Sequence, residues 1–138
     1  MRESQIVDLV SSKLSPFVLL FGFYLVAYGH LSPGGGFQGG AVLASALLML
    51  YLSRSPEAAA RLFPHQAANL VEIGAFSLFL GAGAVGLTAG VSFLGNFLPL
   101  GRAGQEPHIG FILFLNLVIG LEVGAGLSLI CFALLREH

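Results

Sequence analysis

Function can be argued first from Glu122. It stands in "NLVIGLEVGAGLSLI", Asn116 to Ile130, an apolar run with no other ionisable side chain. At a rise of about 1.5 Å per residue, it sits near the middle of the apolar segment from Ile109 to Leu135. A membrane helix would therefore carry it close to the bilayer midplane. A carboxylate left in lipid there costs at least a few kcal/mol, so it must be neutral, paired or hydrated. Such a group can take up a proton or attract a cation. At about 100° per residue, Asn116, Gly120, Gly124 and Ser128 share one face of this helix. Glu122 projects from nearly the opposite face, with Val118, Ala125 and Leu129. Both faces need cover, which predicts neighbours from other chains.

Glu72 is a second candidate for an ion or proton path. It lies early in an apolar segment and shares a face with Phe76, Phe79, Gly83, Gly86 and Gly90. It reads equally as an interfacial carboxylate reaching the headgroup layer. His30 and His108 end and begin apolar segments. Histidine titrates near neutral pH and could relay protons, although an interfacial side chain accounts for each as well. His65 and His138 read as ordinary loop or terminal residues. No His and acidic group recurs at a metal-ligand spacing, so no metal site and no cofactor are expected in this chain. Cys131 is the single cysteine. It can form no internal disulfide, and its apolar surroundings suit a small buried hydrophobe.

The elements that position these groups are membrane helices. Of 138 residues, 56% are hydrophobic and 9% charged, where a soluble domain is about a quarter charged. The net charge of −1 argues against a nucleic-acid partner. Four apolar segments, at about 14–30, 37–53, 67–91 and 109–135, predict one all-α membrane domain of four transmembrane helices, with no second domain. The first two are slightly short unless they extend into the flanking loops. Ile6, Val7, Leu9, Val10 and Leu14 follow a partly helical spacing, which allows a short interfacial helix before the first span. The N-terminus lacks the basic-then-apolar order of a signal peptide. Four spans put both termini on one side with Arg2, Lys13, Arg54, Arg61 and Arg136, leaving only Arg102 on the other. Positive residues favour the cytoplasm, so both termini are expected there.

Small residues recur at four-residue spacing: Gly36, Gly40 and Ala44; Ala82, Gly86 and Gly90; Gly120, Gly124 and Ser128. Membrane helices associate by close packing, which such faces permit, and packing within the chain explains them most simply. The densest glycine stretch is "GHLSPGGGFQGG", Gly29 to Gly40, with six glycines in twelve residues. A phosphate-cradling loop is excluded, since Phe37 and Gln38 stand where Lys and Ser or Thr would be needed. A hairpin turn accounts for Pro33 and one or two glycines. The continuation of glycines into the second segment favours close backbone contact with another helix or subunit, or an opened helix start, with Phe37 as a rigid plug.

"GHLSPGGGFQGGAVLASALLMLYL" resembles the B subunit of Mrp-type cation/proton antiporters, the MnhB-related family. "NFLPLG", Asn96 to Gly101, and "NLVIGLEVGAGLSLI" extend the resemblance over most of the chain, in order. Family members are small four-helix subunits. The resemblance implies a multi-subunit assembly in a prokaryotic cytoplasmic membrane that exchanges Na+ and H+. Related subunits occur in ion-pumping membrane-bound hydrogenases and sulfur-reducing relatives. Carried over, the motif residues are Gly29, His30, Pro33, Gly34, Gly35, Gly36, Phe37, Gly39 and Gly40, then Glu122. Leu31 departs from the polar Asn found in many antiporter members and points toward a redox-linked complex.

The expectation is a non-catalytic membrane subunit that packs against neighbouring subunits and lines part of an ion path. The alternatives are the same subunit in a redox-driven complex, or a purely structural spacer. A small homodimeric drug/proton exporter also has four helices and a membrane carboxylate. It is disfavoured because the first segment holds no carboxylate and the chain has no Trp.

Overall fold

The computed structural model describes residues 2–54, 58, 61, 64–95 and 109–136. The Asn96–Gly101 motif, Arg102, His108 and His138 lie outside them. The described residues form four helices and no strand: α1 (Arg2–Tyr28), α2 (Gly36–Leu52), α3 (His65–Thr88) and α4 (Ile109–Arg136). Within α1, α3 and α4, the stretches Gln5–Tyr28, His65–Thr88 and Gly110–Leu135 are long and apolar enough to cross a membrane. Helix α2, with 17 residues, rises about 25 Å, a little short of a hydrocarbon core of about 30 Å.

The stretch that allowed a short interfacial helix before the first span is the first part of α1, which runs unbroken through Pro16. Pro16 lacks the N–H that would bond the Ser12 carbonyl. That loss is local, and helical residues on both sides carry the helix across it. The far end of α1 stops at Tyr28, whose carbonyl accepts from the Leu31 and Ser32 amides (2.9 and 3.0 Å) and from Ser32 Oγ (3.1 Å). Helix α3 ends in a Schellman motif. Gly90 takes φ +79°, the Val91 amide bonds the Gly86 carbonyl at 3.0 Å, and the Gly90 amide bonds the Leu87 carbonyl at 3.2 Å. A glycine belongs there because a Cβ would be strained in that region.

The helices pack in the order α1, α2, α4, α3, with α4 also touching α1. Helix α4 is thus central, with α2 on one side and α3 on the other. The interior is built from small side chains, such as Ala44, Ala46, Ala75 and Ala82, with a few larger ones such as Val26, Phe111 and Phe132. Large apolar residues point outward, including Phe17, Leu20 and Leu70. This inversion suits a membrane protein, where lipid tails are as apolar as leucine and helices gain by close approach rather than by burying oil. The ring of Tyr51 stacks on Phe132 with centroids 4.6 Å apart, joining the end of α2 to the end of α4.

Candidate functional site

The glycine stretch makes the turn from α1 into α2 and then the first turns of α2. Gly34 and Gly35 have φ of +156° and +151°, and Gly35, with ψ 178°, lies in a region essentially reserved for glycine. The two residues reverse the chain so tightly that Gly29 lies against Gly35, with no room for a side chain between them. Gln38 turns back over the helix start, its Oε1 3.0 Å from where a Cβ on Gly35 would be. The Gly39 amide then bonds the Gly35 carbonyl at 2.9 Å and the helix is under way.

From there the glycines face α4. A methyl on Gly36 would lie 2.5 Å from the Asn116 carbonyl oxygen, and one on Gly40 would lie 2.7 Å from that of Gly120. The four-residue spacings of the two segments therefore interlock backbone to backbone: Gly36 and Gly40 of α2 against Asn116, Gly120 and Gly124 of α4. Buried Ser128 closes the α4 face by donating its Oγ to the Gly124 carbonyl at 2.6 Å. The small-residue faces of the second and fourth segments are consumed by each other. In α3, Gly83 receives the ring of Phe93 and Gly86 lies against the Ser92 carbonyl, so the chain folding back after α3 fills that face.

Within the glycine motif, two side chains remain available. Phe37 is 63% exposed, so its ring fills no interior space of this chain. His30 is half-buried at the turn, and its Nδ1 is buried without a hydrogen bond to any described residue. Pro33 is exposed in the turn, as is Leu31.

The carboxylates lie on the other side of α4. Glu72 Oε1 is 3.2 Å from where a Cβ on Gly126 would be, so the Glu72 side chain crosses the seam from α3 to the α4 backbone. Glu122 is one turn before Gly126 on that face, half-buried between buried Val118 and Leu129. Glu72 thus belongs to the α3–α4 seam, and Glu122 stands about 6 Å along α4 from the point it reaches, at the usual helical rise. The face of α4 that carries Glu122 was expected to be covered by other chains. Helix α3 of the same chain packs on α4, which lies at the centre of the fold rather than its rim, and its Glu72 reaches Gly126, one turn from Glu122.

Two positions went unremarked in the sequence. Val26, buried on α1, puts its methyl groups into the hollows of both Gly39 and Gly120. Ser15 is fully buried, and its Oγ bonds to no described residue. The signal for both was available: Ser11, Ser15, Gly22 and Val26 repeat at helical spacing along α1 and are all buried.

The sequence and this geometry have counterparts among known proteins. A family model described as "Domain related to MnhB subunit of Na+/H+ antiporter" matches residues 6–129. MJ1307 of Methanocaldococcus jannaschii, a protein of uncharacterised function, is 33% identical over 142 residues, covering 96% of this chain and 52% of that protein. A Staphylococcus aureus (strain Newman) protein named as antiporter subunit mnhB2 is 40% identical over 76 residues, 54% of each chain. Among solved structures, a chain of the membrane-bound sulfane sulfur reductase, an archaeal respiratory membrane complex, superposes with a TM-score of 0.68. It is 32% identical, with 91% of this chain and 55% of that chain covered. This chain thus spans about half the length of each of these relatives.

Proposed function

Because the chain belongs to the family of domains related to the MnhB subunit of Na+/H+ antiporters, and is a membrane protein, we propose that it is a small subunit of a multi-subunit cation/proton antiporter. In this reading it sits in a prokaryotic cytoplasmic membrane with both termini in the cytoplasm, beside other membrane subunits. It performs no catalytic step and holds no cofactor of its own. It packs the assembly and lines part of a path for Na+ and H+. The observation that supports the path is the α3–α4 seam, where the Glu72 carboxylate reaches Gly126 one turn from Glu122. Two carboxylates at successive depths along α4 can hand on a proton or attract a dehydrating cation, each step sparing the membrane a bare charge. His30, with its unpartnered Nδ1, is the candidate relay at the opposite end of the bundle from Arg54. Exposed Phe37 could plug only a path shared with a neighbour.

The test uses the assembled complex in vesicles, reading Na+-driven collapse of a pH gradient together with the amount of complex recovered. Glu122→Gln keeps the shape and removes the charge. Transport should fall about tenfold or more, equivalent to ~1.4 kcal/mol in the transport step, while recovery is unchanged. If Glu122 only anchors a helix, Gln is tolerated and Glu122→Ala loosens assembly. Normal behaviour of both variants would end the ion-path reading.

A second reading is favoured by the likeness to the sulfane sulfur reductase complex: the equivalent subunit of a redox-driven ion pump. Co-purification would separate the two. Partners carrying redox centres, and ion movement driven by a reductant rather than by a Na+ gradient, would select the second. Genes for hydrogenase-like subunits beside this one would point the same way.

A further inference from the structure

Between the α1–α2 pair and α3, with α4 as its floor, lies a cleft of about 300 Å³. Leu19 and Phe23 of α1, Leu47 of α2, Ala68 and Val71 of α3 and Ala125 of α4 are among its walls. Its one lining hydroxyl, Ser128, is already spent on the Gly124 carbonyl. Among the described residues the lining is almost wholly apolar, which suits an apolar occupant. A transmembrane helix is about 10–12 Å across with its side chains and is far too large for this volume. A single hydrocarbon chain is not, and the volume is at the lower end of ligand-holding cavities, about 300–1,000 Å³. The lining begins at Pro64, at the start of α3. Exposed Arg61 lies three residues before it, and exposed Arg54 just beyond the end of α2 lies at the same end of the bundle. Arg54 shares a polar hollow with Asp8, an acidic neighbour at that end of the bundle.

We propose that this cleft binds one anionic phospholipid, with an acyl chain between Phe23, Leu47, Val71 and Ala125 and its phosphate at the Arg61 and Arg54 end. Basic residues at the mouth of an interhelical pocket select anionic headgroups, while the apolar walls hold the chain whatever the headgroup. The lipid fills space between α3 and the α1–α2 pair and ties those elements together through their shared neighbour α4.

The experiment is native mass spectrometry of the full chain. The protein is stripped of lipid in detergent and then exposed to equimolar phosphatidylglycerol and phosphatidylethanolamine. One phosphatidylglycerol per chain should remain bound. Ala68→Phe and Ala125→Phe narrow the cleft and should each lower its retention about tenfold, while Gly81→Phe, at a separate hollow between α3 and Phe114 of α4, should not. Arg61→Gln should lower the preference for phosphatidylglycerol by about fivefold, and Arg54→Gln by less. The arginine variants leave the packing alone, so they decide the matter even if a phenylalanine variant fails to fold. Equal retention of the two lipids, or retention indifferent to both cleft and arginine variants, would overturn the proposal. So would a photoreactive residue at Ala125 that cross-links to a neighbouring subunit rather than to lipid in the assembled complex.

Discussion

Gly40 and Gly81 are the same residue in the interior of the same kind of helix, yet they stand in opposite circumstances. A methyl on Gly40 would meet the Gly120 carbonyl oxygen at 2.7 Å and Val123 Cβ at 2.9 Å, whereas one on Gly81 or Gly74 would meet nothing within 4 Å. The α2–α4 seam is closed, each glycine answered by the backbone of the facing helix. The face of α3 with Gly74 and Gly81 lines an open hollow beside Phe114 of α4, and an added methyl there would touch nothing. Glycine content alone therefore says little about where a membrane helix packs. What distinguishes the two regions is a facing helix with its own small residues in register.

The comparison can be broken most forcefully at the closed seam. Gly40→Leu drives a branched side chain into backbone that has no rotamer to yield. Overpacking of this sort costs typically about 1–3 kcal/mol and sometimes more. Folded protein recovered in mild detergent should drop several-fold, and thermal unfolding of what remains should shift well downward. Next in size is Gly35→Ala, which fills no contact of the seam but forces a Cβ into a glycine-only conformation, at about 1–3 kcal/mol. Its unfolding midpoint should fall less than that of Gly40→Leu, and the α1–α2 turn should become the first place where protease cuts. The smallest effect belongs to Gly81→Leu. On the open face the isolated chain should change by about 0.5 kcal/mol or less, measured in the same unfolding assay. A loss there as large as at Gly40 would erase the distinction between the two regions.

Much of this distinction was readable in advance, and the reasons are specific. Helix α2 was expected over 37–53 and runs Gly36–Leu52, because Pro33 and the glycines punctuate its start and Ser53 with Arg54 its end. Gly36, Gly40, Gly120 and Gly124 were identified as packing faces because four-residue spacing survives in the linear sequence. What was not readable is which face meets which. The partner of Glu122's face depends on α4 lying between α2 and α3, and periodicity within a single helix carries no information about neighbours. The length of α1 was legible only in part. The helical spacing of Ile6 to Leu14 allowed a helix before the first span, but did not show that it runs on through Pro16, where one missing hydrogen bond is too small a loss to end it.

Val26 gives the sequence one further constraint. Its Cγ2 and Cγ1 stand 2.9 and 3.1 Å from the place of a Cβ on Gly120, where the next obstacle is the Gly36 carbonyl oxygen at 3.5 Å. At Gly39 the obstacles include backbone, the Val26 amide nitrogen at 2.8 Å and the Gly22 carbonyl oxygen at 3.0 Å. Position 120 is therefore negotiable and position 39 is not. Gly120→Ala alone should destabilise the chain, and adding Val26→Ala should restore most of the loss, whereas the same second change should leave Gly39→Ala unrescued in a double-mutant cycle. In relatives that keep this packing, the side chains at positions 26 and 120 should change size in opposite directions while position 39 stays glycine, which an alignment of such relatives would check.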